Sequence, residues 1–194
     1  MSYAAYSLAR CPQTQKRLRD ELLSPPNGYE DWQQSLKCLD KLPYLDAVCR
    51  ETLRLYTPHS FPPPHWTDND VVIPQRWINT DAMLWGPDAA LFKPERWIQD
   101  STHQYYSGGL PPAILESKHS GWSHLMTFSI GPRNCIAYRM AVAEFKTCLA
   151  VLVSRFEFVQ HDLMEKVYGE VEIVDRPRVR GVEGYYMPCW VQAL

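Results

Sequence analysis

The sequence has no excess of charge of either sign and no long uninterrupted apolar run. Its 194 residues carry 20 Lys and Arg against 22 Asp and Glu, so the formal net charge is -2. This balance argues against nucleic acid as a partner, because a phosphate backbone is usually met by a basic surface. No stretch of about 18 apolar residues and no signal-peptide pattern occur. We therefore expect no membrane span, no export and, for the chain alone, an intracellular location without an anchor.

The six cysteines include no CxxC pair and none of the short spacings of a small disulfide-rich domain. We therefore expect no disulfide framework, and we expect the chain to lie in a reducing compartment. Free cysteines are most often small buried packing residues. A chemical role for any one of them needs support from its neighbours in the sequence.

Prolines separate helical ends from an irregular middle. The 16 prolines fall mainly between residues 25 and 112, where they favour loops and short strands. A helix is expected to run from the very first residues up to Cys11, and Pro12 suits the first turn of the next one. Further helices are predicted over residues 44–56 and 136–153, the last one buried because it is apolar nearly all round. Strands are predicted over residues 70–74, 170–174 and 184–191.

Glu51 and Arg54 lie on the side of the 44–56 helix opposite its apolar stripe. Their spacing of three residues is typical of an ion pair on a helix surface. By periodicity alone, this pair is predicted to be solvated and of little energetic value.

The stretch FSIGPRNCIA, residues 128–137, places Cys135 at the start of an apolar helix. Free backbone N–H groups and the helix dipole stabilise an anion at such a position, which favours a thiolate. Gly131 would permit a left-handed turn, and Arg133 supplies a forked cation suited to a carboxylate. Phe128 offers a flat ring. A packing role for the thiol is the alternative, but these four residue types in one loop are more restrictive than any one alone.

FSIGPRNCIA resembles the haem-binding loop, FxxGxRxCxG, of the cytochrome P-450 family, the haem-thiolate monooxygenases. ETLR, residues 51–54, is similar to the ExxR helix of that family, and PERW, residues 94–97, resembles its PERF-type segment. The three motifs occur in the family's order. The resemblance implies a mainly α fold with small β-sheets (α+β), with residues 1–194 forming an incomplete, C-terminal part of a P-450 domain of eukaryotic microsomal type.

The resemblance also implies roles for the residues of the loop. Cys135 would be the axial thiolate ligand of the iron of haem b, and its electron donation would favour O–O cleavage. Arg133 would pair with a haem propionate, Phe128 would pack beside the porphyrin, and Gly131 would shape the loop. Ala137 would face the porphyrin where the family usually has glycine.

Other residues take roles from the same resemblance. Glu51, Arg54 and Arg96 would form a buried network under the haem loop instead of a surface pair. Arg139 and Lys146 would lie near the face where an acidic electron donor docks. His65 is a further candidate for a propionate contact.

The implied activity is insertion of one oxygen atom from O2 into a small apolar substrate, by an oxidoreductase that receives electrons from NADPH through an NADPH-cytochrome reductase. A full-length parent would lie on the cytosolic face of the endoplasmic reticulum membrane. No AGxxT-like oxygen-activation motif precedes SYAAYSLA, so no distal catalytic residue is assigned and the truncated chain is expected to be inactive alone. Between VIP and WGPDA, too few residues remain for the family's GT-containing strand.

Two alternatives stay open at this point. The first is a non-catalytic, haem-binding remnant or scaffold that keeps the proximal loop. The second is a zinc site formed by His119, His124 and Cys135, although their spacing fits no standard zinc module.

Overall fold

The computed structural model describes residues 1–23, 36–58, 79–98, 124–129, 134–171 and 174–194. The helices bounded within these ranges are α1 (Ser2–Arg10), α2 (Pro12–Leu23), α3 (Leu36–Leu39), α4 (Pro43–Leu55), α5 (Ala82–Trp85) and α6 (Tyr138–Arg155), with 3-10 helices at Pro94–Trp97 and Asp162–Lys166. The strands are β1 (Phe156–Val159), β2 (Val167–Val171), β3 (Asp175–Val179) and β4 (Trp190–Ala193). They form two two-stranded sheets, β1 with β4 and β2 with β3. The fold is mainly α with small β-sheets, as predicted.

Helix boundaries follow the local sequence signals closely. α2 begins at Pro12, as predicted from the missing N–H of proline. α4 covers Pro43–Leu55, where the sequence predicts a helix over 44–56. α6 begins at Tyr138, two residues after the predicted start, and buries one stripe of its surface instead of its whole circumference. The strand predicted over 70–74 lies outside the described residues.

The chain divides into two compact units, and the first comprises Met1–Cys49, Arg139–Glu170 and Pro177–Leu194. In this unit α1 packs against α2 and β1. Strand β1 runs antiparallel to β4, with Phe156 opposite Ala193. Gln15 of α2 donates from Nε2 to the Phe158 carbonyl at 2.9 Å and accepts from the Phe158 N–H at 2.8 Å. A buried side-chain amide of α2 therefore pairs both backbone groups of Phe158 in β1.

A glutamate from α2 caps the beginning of α4. Glu21 accepts hydrogen bonds from the backbone N–H groups of Tyr44 at 2.9 Å and Leu45 at 2.8 Å. These N–H groups have no partner inside the helix, so the carboxylate satisfies them and complements the helix dipole. Burial raises the pKa of Glu21 above its ordinary value, and the two N–H donors offset this only in part.

Lys146 of α6 is buried, and the prediction that it lies on a docking face for an electron donor is wrong. Only 4% of the residue is exposed. Its Nζ lies 2.8 Å from Asp46 and 3.0 Å from Asp40. Burial alone would lower the pKa of Lys146, but the two aspartates raise it above the ordinary value. The Lys146 ammonium is thus paired with carboxylates inside the unit, whereas Arg139 is exposed.

The second unit comprises Arg50–Tyr138 and Val171–Arg176. Its core contains Trp85, Ala89 and Leu125, with the half-buried Leu53, Leu84 and Trp97 packed against them. α5 begins where the side chain of Asp81 accepts from the Met83 N–H at 2.7 Å. It ends at Gly86, whose φ of 86° lies in the left-handed region that favours glycine. In the ranges described, no helix is both long enough and apolar enough to cross a membrane.

Candidate functional site

The carboxylate of Glu51 lies fully buried in α4 and accepts five hydrogen bonds. Arg54 donates from Nε to Oε2 and from Nη2 to Oε1, both at 2.9 Å. Arg96 donates from Nε to Oε1 at 3.0 Å. The Lys93 backbone N–H donates to Oε1 and the Trp97 indole Nε1 to Oε2, both at 2.9 Å. A carboxylate offers about four lone-pair positions, so every acceptor direction is used.

The two guanidinium groups also make hydrogen bonds beyond those to Glu51. Arg54 donates from Nη1 to the Asn79 carbonyl at 2.9 Å and from Nη2 to the Leu91 carbonyl at 3.2 Å. Arg96 donates from Nη2 to the Asp88 carbonyl at 3.2 Å and from Nη1 to its Oδ1 at 3.4 Å. Buried charge is tolerated only when it is paired and hydrogen-bonded, and this cluster meets both conditions.

The periodicity-based prediction of a solvated surface pair is wrong, because Glu51 and Arg54 are both 0% exposed. Arg96, from a distant 3-10 helix, joins them at the same carboxylate. Trp85 lies beneath the Arg54 guanidinium at 5.1 Å and packs at 5.5 Å from the Trp97 ring. Sequence reasoning missed the role of Trp97, although a buried indole N–H needs an acceptor and thus signals a polar partner nearby.

Asp88 connects Arg96 of the Glu51 network to the partly exposed side chain of Lys93. Its Oδ2 accepts from Lys93 Nζ at 2.8 Å. That hydrogen bond, together with the Arg96 charge, lowers the pKa of Asp88 below its ordinary value against the opposing effect of burial. A depressed folded-state pKa contributes stability above the unfolded-state pKa, and this contribution is lost as the pH falls through the folded-state pKa.

We expect Asp88→Asn to lower the free energy of unfolding at pH 7 by about 0.5–1 kcal/mol, because the pair is partly solvated. The difference from the parent chain should begin to shrink below about pH 4, the unfolded-state pKa of aspartate, and should be lost as the pH falls through the lower folded-state pKa of Asp88. Urea unfolding of both chains at neutral and acidic pH measures this difference in the free energy of unfolding. The exposed Asp20→Asn control should stay within about 0.5 kcal/mol of the parent at pH 7, and an Asp88→Asn deficit that grows in acid would contradict the assignment.

Cys135 lies in a loop that its own backbone closes. The Cys135 N–H donates to the Phe128 carbonyl at 2.8 Å, and the Cys135 carbonyl accepts from the Tyr138 N–H at 3.3 Å, where α6 begins. The Phe128 and Tyr138 rings lie 6.1 Å apart at their centroids. The thiol is free and half-buried. Gly131 and Arg133 lie outside the described residues.

The segment before this loop has strained ends. His124 and Ser129 have φ values of 59° and 61°, in the left-handed region. For residues other than glycine this conformation costs about 1–2 kcal/mol each. Between them, the Met126 N–H donates to Asn79 Oδ1 at 3.1 Å, and Thr127 Oγ1 accepts from Asn79 Nδ2 at 3.0 Å. Such a conformation persists only where surrounding contacts hold it.

The residues around Cys135 fit a large, flat, apolar cofactor with a thiolate ligand. Immediately after Cys135 in the sequence, Ile136 is 100% exposed. Ala137 is exposed too. A free thiol is the axial donor that a haem-thiolate site requires, and the exposed apolar side chains that follow it in sequence are compatible with an apolar porphyrin face.

The zinc alternative gains no support from the residues described. None of them forms a group of three or more His, Cys, Asp or Glu able to hold a metal. His119 and His65 lie outside the described ranges. His124 is described, and its buried Nδ1 has no hydrogen-bond partner.

Comparison with known proteins places these features in a family. The family model for cytochrome P-450 matches residues 1–177. Cytochrome P-450 monooxygenase claU of Ampulloclitocybe clavipes is 34% identical over 99% of this chain and 38% of its own length. Cytochrome P-450 monooxygenase 128 of Postia placenta is also 34% identical, over 98% of this chain and 37% of its own length. The claU alignment covers 219 positions against 194 residues here, so the relative has residues in the aligned region that this chain lacks.

A solved structure shows the same fold. The crystal structure of a cytochrome P-450 (CYP102L1) superposes with a TM-score of 0.70 at 23% identity, over 99% of this chain and 41% of that one. The chain thus spans about 38% of the length of the first curated relative, and it corresponds to part of the P-450 fold. On the family match over most of its length, the chain belongs to the cytochrome P-450 family, which implies a haem-iron cofactor.

Proposed function

We propose that the chain supplies the proximal side of a haem-thiolate monooxygenase site, with Cys135 as the axial ligand of haem b. The observation that carries this proposal is the free, half-buried thiol in a loop closed by the hydrogen bond from the Cys135 N–H to the Phe128 carbonyl. That bond fixes the backbone on the amino side of the sulfur. When bound, the haem supplies the iron at which O2 is activated.

The neighbouring residues take supporting roles in this proposal. Phe128 packs beside the porphyrin, and Ala137 faces it with one methyl group more than glycine has. Arg133 pairs with a haem propionate, and Gly131 shapes the loop that precedes Cys135. The Glu51 network supports the proposal because its buried ion pairs join α4 to the Pro94–Trp97 helix within the unit that contains Cys135.

The activity of a whole protein is a further part of the proposal, since the chain spans about 38% of the length of claU. A full-length protein that contains this chain would oxygenate a small apolar substrate with electrons from NADPH, passed on by an NADPH-cytochrome reductase. It would lie on the cytosolic face of the endoplasmic reticulum membrane. For the chain alone, we propose haem binding without turnover.

Spectroscopy of the ferrous carbonyl adduct tests the assignment of Cys135. The chain supplied with hemin should show the red-shifted Soret band of thiolate-ligated haem, and Cys135→Ser should abolish that band because a neutral hydroxyl donates far less charge to iron. Cys148→Ser is the matched control, since Cys148 is also a free cysteine but lies exposed on α6. It should keep the band.

Two outcomes would contradict the proposal: no thiolate-type band in the parent chain, or a band that survives Cys135→Ser. Both the monooxygenase and the non-catalytic haem-binding remnant would use Cys135 as the ligand. NADPH-dependent product formation with a reductase distinguishes these two roles. If the haem-loaded chain turns over an apolar substrate, the non-catalytic role is excluded for the chain alone.

A further inference from the structure

Asn79 is fully buried and is hydrogen-bonded through its side chain and its backbone. Nδ2 donates to Thr57 Oγ1 at 2.9 Å and to Thr127 Oγ1 at 3.0 Å. Oδ1 accepts from the Met126 N–H at 3.1 Å, and the backbone carbonyl accepts from Arg54 Nη1 at 2.9 Å. The amide orientation follows from these partners, because only the oxygen can accept from the Met126 N–H.

Both threonine hydroxyls that accept from Asn79 donate to one carbonyl. Thr57 Oγ1 lies 3.2 Å and Thr127 Oγ1 lies 2.9 Å from the Leu53 oxygen. Leu53 is in the last turn of α4, where backbone carbonyls have no partner inside the helix. Asn79, the two hydroxyls and this carbonyl therefore form a closed hydrogen-bonded ring.

The ring has one local and one distant member. Thr57 is four residues from Leu53, so its hydrogen bond belongs to the helix end itself. Thr127 is 74 residues away in sequence and immediately precedes Phe128, whose carbonyl accepts from the Cys135 N–H. Asn79 thus joins the end of α4, next to the Glu51 network, to the base of the cysteine loop.

We propose that Asn79 is a positioning residue for Cys135, acting by holding Met126 and Thr127 against the end of α4. Its two donors and one acceptor match their three partners, which no other small side chain does. Aspartate would offer no donor and would turn the hydroxyls away from Leu53, whereas alanine would leave the buried Met126 N–H unpaired and would remove the donor to both hydroxyls. The left-handed residues His124 and Ser129 bracket the segment it holds, so the segment depends on such external contacts.

A matched pair of threonine variants tests this inference. Thr127→Val and Thr57→Val are nearly isosteric, and each removes one acceptor for Asn79 and one donor to Leu53. Only Thr127→Val removes hydrogen bonds that hold the segment before Cys135, and it leaves the bond from the Met126 N–H to Asn79 in place. Residue-resolved amide hydrogen exchange on the chain without added hemin should show Cys135 exchanging about tenfold or more faster in Thr127→Val, and about threefold or less faster in Thr57→Val.

Asn79→Ala should behave like Thr127→Val at Cys135. Equal acceleration by the two threonine variants would overturn the inference, as would unchanged exchange in a folded Asn79→Ala chain. If Asn79→Ala fails to fold, the comparison of the two isosteric variants still decides. A merely structural role would lower global stability without this difference at Cys135.

The importance of this position for ligation rests on the proposed function. In the chain loaded with hemin, Thr127→Val should lower the fraction of thiolate-type Soret absorbance more than Thr57→Val does. If the parent chain shows no such band, the proposed function fails, while the exchange experiment still judges Asn79. Equal Soret fractions in the two variants, with the band present in the parent, would contradict a positioning role in ligation.

Discussion

Replacement of Glu51 by Gln is expected to lower the free energy of unfolding by about 3–5 kcal/mol. The buried carboxylate faces only donors, two of them from Arg54 and the others from Arg96, Lys93 and Trp97. A glutamine keeps the shape but removes the charge that compensates two guanidinium groups, and it turns an N–H2 group toward other N–H groups. Urea unfolding followed by circular dichroism measures the loss.

Glu144→Gln provides the control, because Glu144 lies on the exposed side of α6. Surface substitutions of this kind change stability by about 0.5 kcal/mol or less. A loss below about 1 kcal/mol in Glu51→Gln would show that the carboxylate is not the centre of a buried charge network. The size of the effect therefore separates this network from the solvated pair that periodicity predicts.

Gln15→Leu is expected to cost about 2–4 kcal/mol, because it leaves both the N–H and the carbonyl of Phe158 buried without their partner. Leucine has a similar volume, so most of the loss should come from the unpaired backbone groups. Faster amide exchange at Phe158 should accompany the lower free energy of unfolding, since its hydrogen bond to Gln15 is removed.

Gln13→Leu is the control for this prediction, since it makes the same change two residues away, on the exposed side of α2. It should alter stability by about 0.5 kcal/mol or less. Equal effects of the two variants would show that lost helix polarity, and not the pairing with Phe158, accounts for the result.

Strands illustrate the limits of local prediction. The predicted segments 170–174 and 184–191 overlap β2 and β4 by only two residues each, and β1 and β3 were not predicted. β1 follows α6 without a break signal, and β3 contains Pro177, which normally argues against a strand. Their positions depend on distant partners, such as β4 for β1, and a window of neighbouring residues does not contain those partners.

Local sequence was sufficient wherever the deciding contacts are themselves local or the motif is long. Pro12 begins α2 because of its own missing N–H, and three ordered motifs identify the family. The environment of charged residues depended instead on chain folding. Glu51 and Lys146 occupy polar positions on amphipathic helices, yet both are buried, because segments remote in sequence bring their counter-charges and cover them. Periodicity describes the pattern within one helix, whereas the burial of a residue depends on which other segments pack over that helix.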